Sequence, residues 1–178
     1  METKKKGTIK YLIRIIAFLL ILTFLVFEVS YAFRPVIEDW DQEASGFMGY
    51  WGEPEDSIDV LCYGGSELFT YWAPLEAYEL YGFTSYSLGR SALRTPLYAS
   101  LLEEALETQK PQLVVIGFRA FATDLEVVPD GYFRWTADML PYDTHRVDMI
   151  NAAMPYMVDA DENPITDSSS YYFDIIKF

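Results

Sequence analysis

The sequence predicts an α/β domain built on a parallel sheet and preceded by one membrane-spanning helix. Three observations carry this reading. Residues 11–33 are dominated by Leu, Ile, Phe and Val. Short apolar runs at 57–63, 84–88 and 113–116 alternate with helical patterns, which is the signature of right-handed crossovers on a parallel sheet. The first run continues through Ser66, so that Ile58 to Ser66 read Ile-Asp-Val-Leu-Cys-Tyr-Gly-Gly-Ser. A buried strand, a glycine turn and then a hydroxyl is how an α/β fold presents a nucleophile. The competing reading of Ser66 is a cap on the next helix.

The chain has 178 residues, enough for one domain of ordinary size. Of its 27 acidic and 13 basic residues, Glu2 and Glu28 stand against Lys4, Lys5, Lys6, Lys10 and Arg14 before Arg34. The head is therefore basic and everything after it strongly acidic. Such a body repels phosphate backbones, which argues against nucleic acid as a partner. The one cysteine, Cys62, forms no intrachain disulfide and lies inside an apolar run, where it reads as a small buried hydrophobe.

Residues 1–10 read as a cytoplasmic basic head and 11–33 as a transmembrane anchor. Arg14 and Glu28 lie near the ends of that stretch, where long side chains reach the headgroups, and the whole is long enough to cross a bilayer of ~30 Å. Lysines before it and acids after it place the N-terminus in the cytoplasm and the body outside the cell membrane. A cleaved signal peptide ending at Ser30-Tyr31-Ala32 is the alternative. The apolar stretch runs past a typical signal core, which favours an uncleaved anchor.

Residues 34–56 read as a linker and lead-in, with Trp40, Phe47, Tyr50 and Trp51 packing on the domain or lying near the membrane interface. Residues 57–178 form the extracytoplasmic domain. Pro74 at a first helical position and Gly82 at a C′ position bracket a short helix. Thr95 caps a second helix with Pro96 at its first position, with Leu97, Leu101, Leu102, Ala105 and Leu106 on one stripe and Glu103, Glu104 and Glu107 facing water. Leu113-Val-Val-Ile116 is a continuous apolar run of the kind buried on both faces. Phe121 to Tyr142 reads as loop with short structured pieces, and a helix falls between Tyr142 and Met157. The apolar end, Tyr171 to Phe178, lacks a following turn, which suggests that the sequence continues beyond it.

A serine nucleophile needs a base, an orienting carboxylate and an oxyanion hole. The single histidine, His145, lies beside Arg146 and Asp148 and reads first as a solvated surface residue. Glu67 is a site residue or simply a carboxylate on a helix N-terminus. Arg90 and Arg94 hold an anionic substrate group or form salt bridges. Asp159-x-Asp161-x-Asn163 matches the start of a calcium loop, but Pro164 and Ser170 occupy the Gly and Glu places, so it reads as a polar turn. There is no HExxH, no paired Cys and no phosphate-binding glycine loop, so no metal or cofactor is expected.

Several blocks, in order, resemble one family. They are Gly64-Gly65-Ser66-Glu67-Leu68-Phe69, Pro74-Leu75, Tyr81 to Gly89, Leu101 to Leu106, and Lys110-Pro111-Gln112-Leu113-Val114-Val115-Ile116. Together they are similar to the N-terminal half of the SGNH/GDSL hydrolase-like proteins, and more narrowly to the membrane-anchored bacterial DltD-like branch. The resemblance runs from about Ile58 to Phe118 and continues more weakly through Asp138-Met139-Leu140-Pro141.

The resemblance implies a flavodoxin-like parallel-sheet fold of the SGNH kind, truncated in its C-terminal half. It makes Ser66 the nucleophile and its backbone N–H one oxyanion donor. The second block of the family reads Asn-Leu-Gly-x-x-Gly, and here Ser87-Leu88-Gly89-Arg90-Ser91-Ala92 puts the second donor at Ala92. Where many members carry an Asn after the third strand, this chain reads Gly117-Phe118-Arg119-Ala120, and it has no Asp-x-x-His. The implied ancestry is an acyl-ester hydrolase or acyltransferase acting on cell-envelope polymers, with little activity expected of this chain alone. The alternative is a non-catalytic binding or assembly partner of an envelope polymer or a membrane acyltransferase.

Overall fold

The computed structural model describes residues 2–32, 42–122 and 126–172. It combines helices with a small parallel sheet, and the chain divides into two compact units. One comprises Met1–Arg34 with Ser169–Phe178, the other Pro35–Ser168.

In the first unit, helix α1 spans Glu2–Ala32, so the basic head is helical along with the apolar stretch. Its segment Ile9–Ala32, 24 residues, is long and apolar enough to cross a membrane. Large side chains such as Phe18, Leu20 and Phe24 are exposed along it. That suits lipid rather than water as the surrounding solvent.

The second unit opens with α2 (Gln42–Gly49) and a 3-10 turn, Tyr50–Gly52. Residue 33 of the expected anchor and residues 34–41 of the expected linker, Trp40 among them, lie outside the described residues. The rest of the lead-in belongs to the body. Phe47 and Tyr50 are buried, the Tyr50 hydroxyl donates to the Ala105 carbonyl at 2.8 Å, and the Tyr86 hydroxyl donates to the Gly46 carbonyl at 2.6 Å.

Three strands follow: β1 (Val60–Gly64), β2 (Ser85–Gly89) and β3 (Leu113–Ile116). They are parallel, in the order β2-β1-β3, with Val60 opposite both Ser85 and Leu113. The central position explains why Leu61, Cys62 and Tyr63 are all buried. The sheet's N-terminal edge is stitched by Asp59, whose carboxylate accepts from the Thr84 N–H at 2.8 Å and from Gln112 Nε2 at 3.2 Å. Gln109, fully buried, clamps the entry to β1 by accepting from Ser57 and Ile58 N–H and donating to the Pro54 carbonyl.

Between β1 and β2 lie α3 (Ser66–Tyr71) and α4 (Pro74–Tyr81). Helix α4 has Pro at its start and Gly82 in the left-handed region (φ 78°) donating to the Tyr78 carbonyl, as the spacing predicts. Between β2 and β3, Thr95–Leu97 forms a 3-10 turn and α5 covers Tyr98–Thr108. Thr95 is therefore not a cap. Leu97, Leu101 and Ala105 point into the core, whereas Leu106 is exposed.

Beyond β3 come α6 (Arg119–Ala122), β4 (Val128–Pro129), α7 (Asp130–Ala137), α8 (Thr144–Ala153), a 3-10 turn (Met154–Tyr156) and β5 (Met157–Val158), which pairs with β4 in parallel. A final turn of helix, α9 (Ser169–Tyr172), belongs to the first unit. The expectation for the apolar end after Tyr172 falls outside the described residues.

Two further expectations are corrected. The β3 run is not buried on both faces: Leu113 is 54% and Ile116 50% exposed, because among the described residues β3 is an edge strand paired with β1 alone. Apolarity makes a strand fit for burial but does not supply the elements that cover it. Nor does Glu104 face water; it is 4% exposed at the contact between α5 and α8.

There Glu104 lies near Asp143, the N-cap of α8, and near His145, whose Nε2 is 2.8 Å from Glu107 Oε1. Burial first, then the Asp143 charge, pushes the Glu104 carboxyl up to about 7. The hydrogen bond to Glu107 raises His145 above its ordinary value. Between the ordinary carboxyl value of 4.5 and about 7, the folded state keeps a proton on Glu104 that the unfolded chain has lost, so stability falls as pH rises through that window. The His145 contribution is complete below 6.5 and is lost as pH rises through its folded value. Both slopes have the same sign. The purified chain is expected to melt about 5 °C higher at mildly acidic than at mildly alkaline pH. Glu104→Gln should flatten that difference by raising the alkaline melting temperature, and an unchanged slope in the variant would refute the assignment.

Candidate functional site

The site grows from the way β1 ends. Gly64 has φ 151°, and a Cβ there would lie 3.1 Å from the Gly117 backbone and 3.3 Å from the Tyr98 hydroxyl. Only glycine lets the ends of β1 and β3 approach this closely. Gly65 is the N-cap of α3 with no side-chain cap, so Ser66 is the first helical residue and not a cap. The Ser66 side chain makes no hydrogen bond among the described residues, while its carbonyl accepts from Thr70 Oγ1 at 2.6 Å. The hydroxyl stands open at the first turn of a helix.

The loop after β2 approaches from the other side. Arg90 N–H donates to the Gly64 carbonyl at 3.0 Å, tying the two strand ends together. Ala92 then adopts φ 50°, a left-handed conformation that an alanine enters only at a cost. Neither the Ser66 N–H nor the Ala92 N–H has an acceptor among the described residues.

A cleft of about 400 Å³ opens at this end of the sheet. It is lined by residues 65–67 after β1, 91–93 after β2 and 119–120 after β3. Open α/β sheets bind ligands outside the carboxyl ends of their strands, where successive connections leave in opposite directions along the sheet. The order β2-β1-β3 puts that switch point at the end of β1. The structure thus brings Ser66, Glu67 and Ala92 to one cleft.

Glu67 is more than a partner for a helix dipole. A Cβ at either Gly65 or Gly117 would run into its carboxylate, which therefore fills the space between two glycines. Its Oε1 is buried with no hydrogen-bond partner among the described residues. The Tyr98 phenol nearby is pushed up to about 12 by burial and then by the Glu67 charge.

The remaining nominated residues go elsewhere. Arg90 is 1% exposed and donates from Nε and Nη2 to the Trp135 carbonyl at 3.2 and 2.6 Å. Arg94 stacks over Tyr132 at 4.6 Å. Neither lines the cleft. His145 is fixed against Glu107 and is half-buried rather than solvated; it too is absent from the cleft lining. The Asp159 carboxylate closes the polar turn by accepting from Asp161 N–H and Asn163 N–H, both at 2.9 Å.

Ser91 and Arg119 line the cleft although their residue types did not nominate them. Arg119 sits two residues past the close approach at Gly117, directly after the third strand. A cationic side chain at a strand's carboxyl end was the available signal. Comparison with family models, curated proteins and solved structures gives no match to this chain.

The left-handed Ala92 gives a direct test of the backbone geometry. Ala92→Gly relieves a conformational cost of about 1–2 kcal/mol and adds an unfolded-state entropy cost of about 0.4–1 kcal/mol. A net stabilisation on the order of 0.5–1 kcal/mol is expected in denaturant unfolding, with Ala92→Val destabilised. Equal stability of all three would contradict the positive φ.

Proposed function

We propose that this chain is a membrane-anchored, extracytoplasmic domain of SGNH/GDSL hydrolase-like descent, akin to the DltD-like branch. Its ancestral chemistry is hydrolysis or transfer of acyl esters on a cell-envelope polymer, with Ser66 in the nucleophile position. One observation carries the reading. An open serine on the first turn after β1 shares a cleft with Ala92, and Ala92 holds the left-handed backbone that a glycine would hold in the second block of that family. The N–H groups of Ser66 and Ala92 are the oxyanion donors in this reading. The basic head and the acidic body orient α1 with its N-terminus in the cytoplasm.

The second reading, a non-catalytic binding or assembly partner for an envelope polymer or a membrane acyltransferase, is favoured by a different observation. No imidazole lines the cleft, and the one histidine is tied to Glu107. A serine without a base keeps an ordinary hydroxyl, and loss of a general base costs ~10²–10⁴-fold in rate.

The two readings separate in one experiment on the purified chain. Turnover of an activated acetyl ester is expected to match that of Ser66→Ala, and a fluorophosphonate probe is expected to leave Ser66 unlabelled. Turnover that disappears in Ser66→Ala, or covalent capture of Ser66, would establish a working nucleophile and reject the inert reading.

A further inference from the structure

The sheet ends at β3 with its backbone unpaired. Leu113 and Gly117 donate their N–H groups to the Asp59 and Tyr63 carbonyls at 3.3 and 2.8 Å, so alternate residues of β3 bond toward β1. Val114 and Ile116 fall between these positions, and their N–H and C=O groups point out from the edge. None of those groups has a partner among the described residues. The side chains are open as well. Leu113 and Val115 are exposed on one face and Ile116 on the other. Just past the strand, Phe118 and Phe121 are exposed and stack on each other at 5.9 Å.

Sheet edges are ordinarily protected by a charge, a proline or a bulge. Residues 112–118 contain no charged residue and no proline, and β3 pairs with β1 in unbroken register. The opposite edge is different, because α2, α3 and α4 all pack on β2. The pairing-competent edge is therefore β3.

Charge and register point to what pairs with it. The chain has a formal net charge of −14, so two copies repel wherever their acidic surfaces face each other. At β3 they can meet without opposed charges, and Lys110 and Arg119 lie outside the stretch that would pair. The strand is also complementary to itself. A two-fold axis through Val115 sets β3 antiparallel to a second β3. Val114 of each copy then faces Ile116 of the other, and the two exchange both of their N–H···O bonds. Val115 faces its own counterpart as a non-hydrogen-bonded pair. Both copies use the same patch, so the contact is isologous and closes at two. The sheets become one, in the order β2-β1-β3-β3-β1-β2.

We propose that this chain pairs with a second copy of itself through the open edge of β3, antiparallel about a two-fold axis at Val115. The inference rests on no chemistry at Ser66.

Two measurements on the full chain in detergent test it. Sedimentation equilibrium is expected to give the mass of two chains in the micromolar range. Ile116→Lys puts a charge on an exposed edge position and is expected to weaken pairing at least about tenfold, with the far-ultraviolet circular dichroism unchanged. Self-association through α1 would survive that substitution. A parent that stays single, or a dimer that Ile116→Lys leaves intact, would therefore overturn the proposal. The second measurement reads the register, and it decides the matter if the lysine variant loses its fold. Facing residues of a non-hydrogen-bonded pair have Cα atoms about 4.5 Å apart, a separation that a disulfide spans. Val115→Cys is expected to give a disulfide-linked dimer on oxidation with copper phenanthroline, and Leu113→Cys, away from the axis, is not. Cys62 is buried, so the parent sets the background. Cross-linking of Val115→Cys no greater than that of Leu113→Cys would reject the pairing.

Discussion

Gly64 and Gly117 meet where neither residue has room for a side chain, and the architecture around the cleft follows from that contact. A Cβ on Gly64 would stand 3.1 Å from the Gly117 backbone, so the carboxyl ends of β1 and β3 can close only as glycine on glycine. Gly89 repeats the condition on the other side, where a Cβ would lie 2.9 Å from the Gly65 carbonyl oxygen. Three strand ends are thus drawn together, and the chain leaves each through a loop that must turn away at once. The cleft is the space these departing loops enclose. Glu67 fills the remaining gap between Gly65 and Gly117, which makes its carboxylate a structural neighbour of the turn that carries Ser66.

The acidic body buries two arginines, and both grip the same helix end. The last carbonyls of α7 have no acceptor role inside the helix and lie at the negative end of its dipole. Arg90 donates to the Trp135 carbonyl, and Arg146 donates to the Ala137 carbonyl at 2.7 Å and to Asp138 at 3.3 Å. Burying a guanidinium costs less where donors find acceptors and its faces are covered. Here Phe47 and Trp135 cover Arg90, and Tyr142 covers Arg146. The consequence is positional. Arg90 belongs to the loop that carries Ala92, so the cleft's second wall is fastened to α7.

Much of this was legible in the residues because it is local. Periodicity and punctuation locate β1, α4 and α8, and the glycine turn before Ser66 is visible as a pair of letters. What was hidden is directional. The Leu113–Ile116 run is apolar enough for a buried strand, but which neighbours cover it is a property of the whole sheet. Arg90 and Arg94 flank the second block in sequence, yet the turn at Ala92 carries their side chains toward α7 instead of the cleft. Helix α7 reads as irregular because Pro129, Gly131 and a crowd of aromatics obscure its period. In the structure, Phe133, Thr136 and Ala137 face the core while Tyr132 and Trp135 face out. Glu104 looks like one more solvated acid until α8 is laid over it.

The cleft's two ingredients are encoded at different depths in the chain. Its shape rests on backbone conditions spread over three loops: the glycines at 64, 65, 89 and 117, and the left-handed residue at 92. A side chain added at any of the four glycines would meet packed atoms, so the shape is tied to the stability of the domain. Its chemistry rests on single side chains whose removal strains nothing. A serine hydroxyl with no hydrogen bond can be kept or lost without consequence for folding, and so can an imidazole that would activate it. A scaffold of this kind can therefore hold the outline of a site whether or not the chemistry is present. The reactivity of the Ser66 hydroxyl is therefore the property that separates an enzyme from a binding domain.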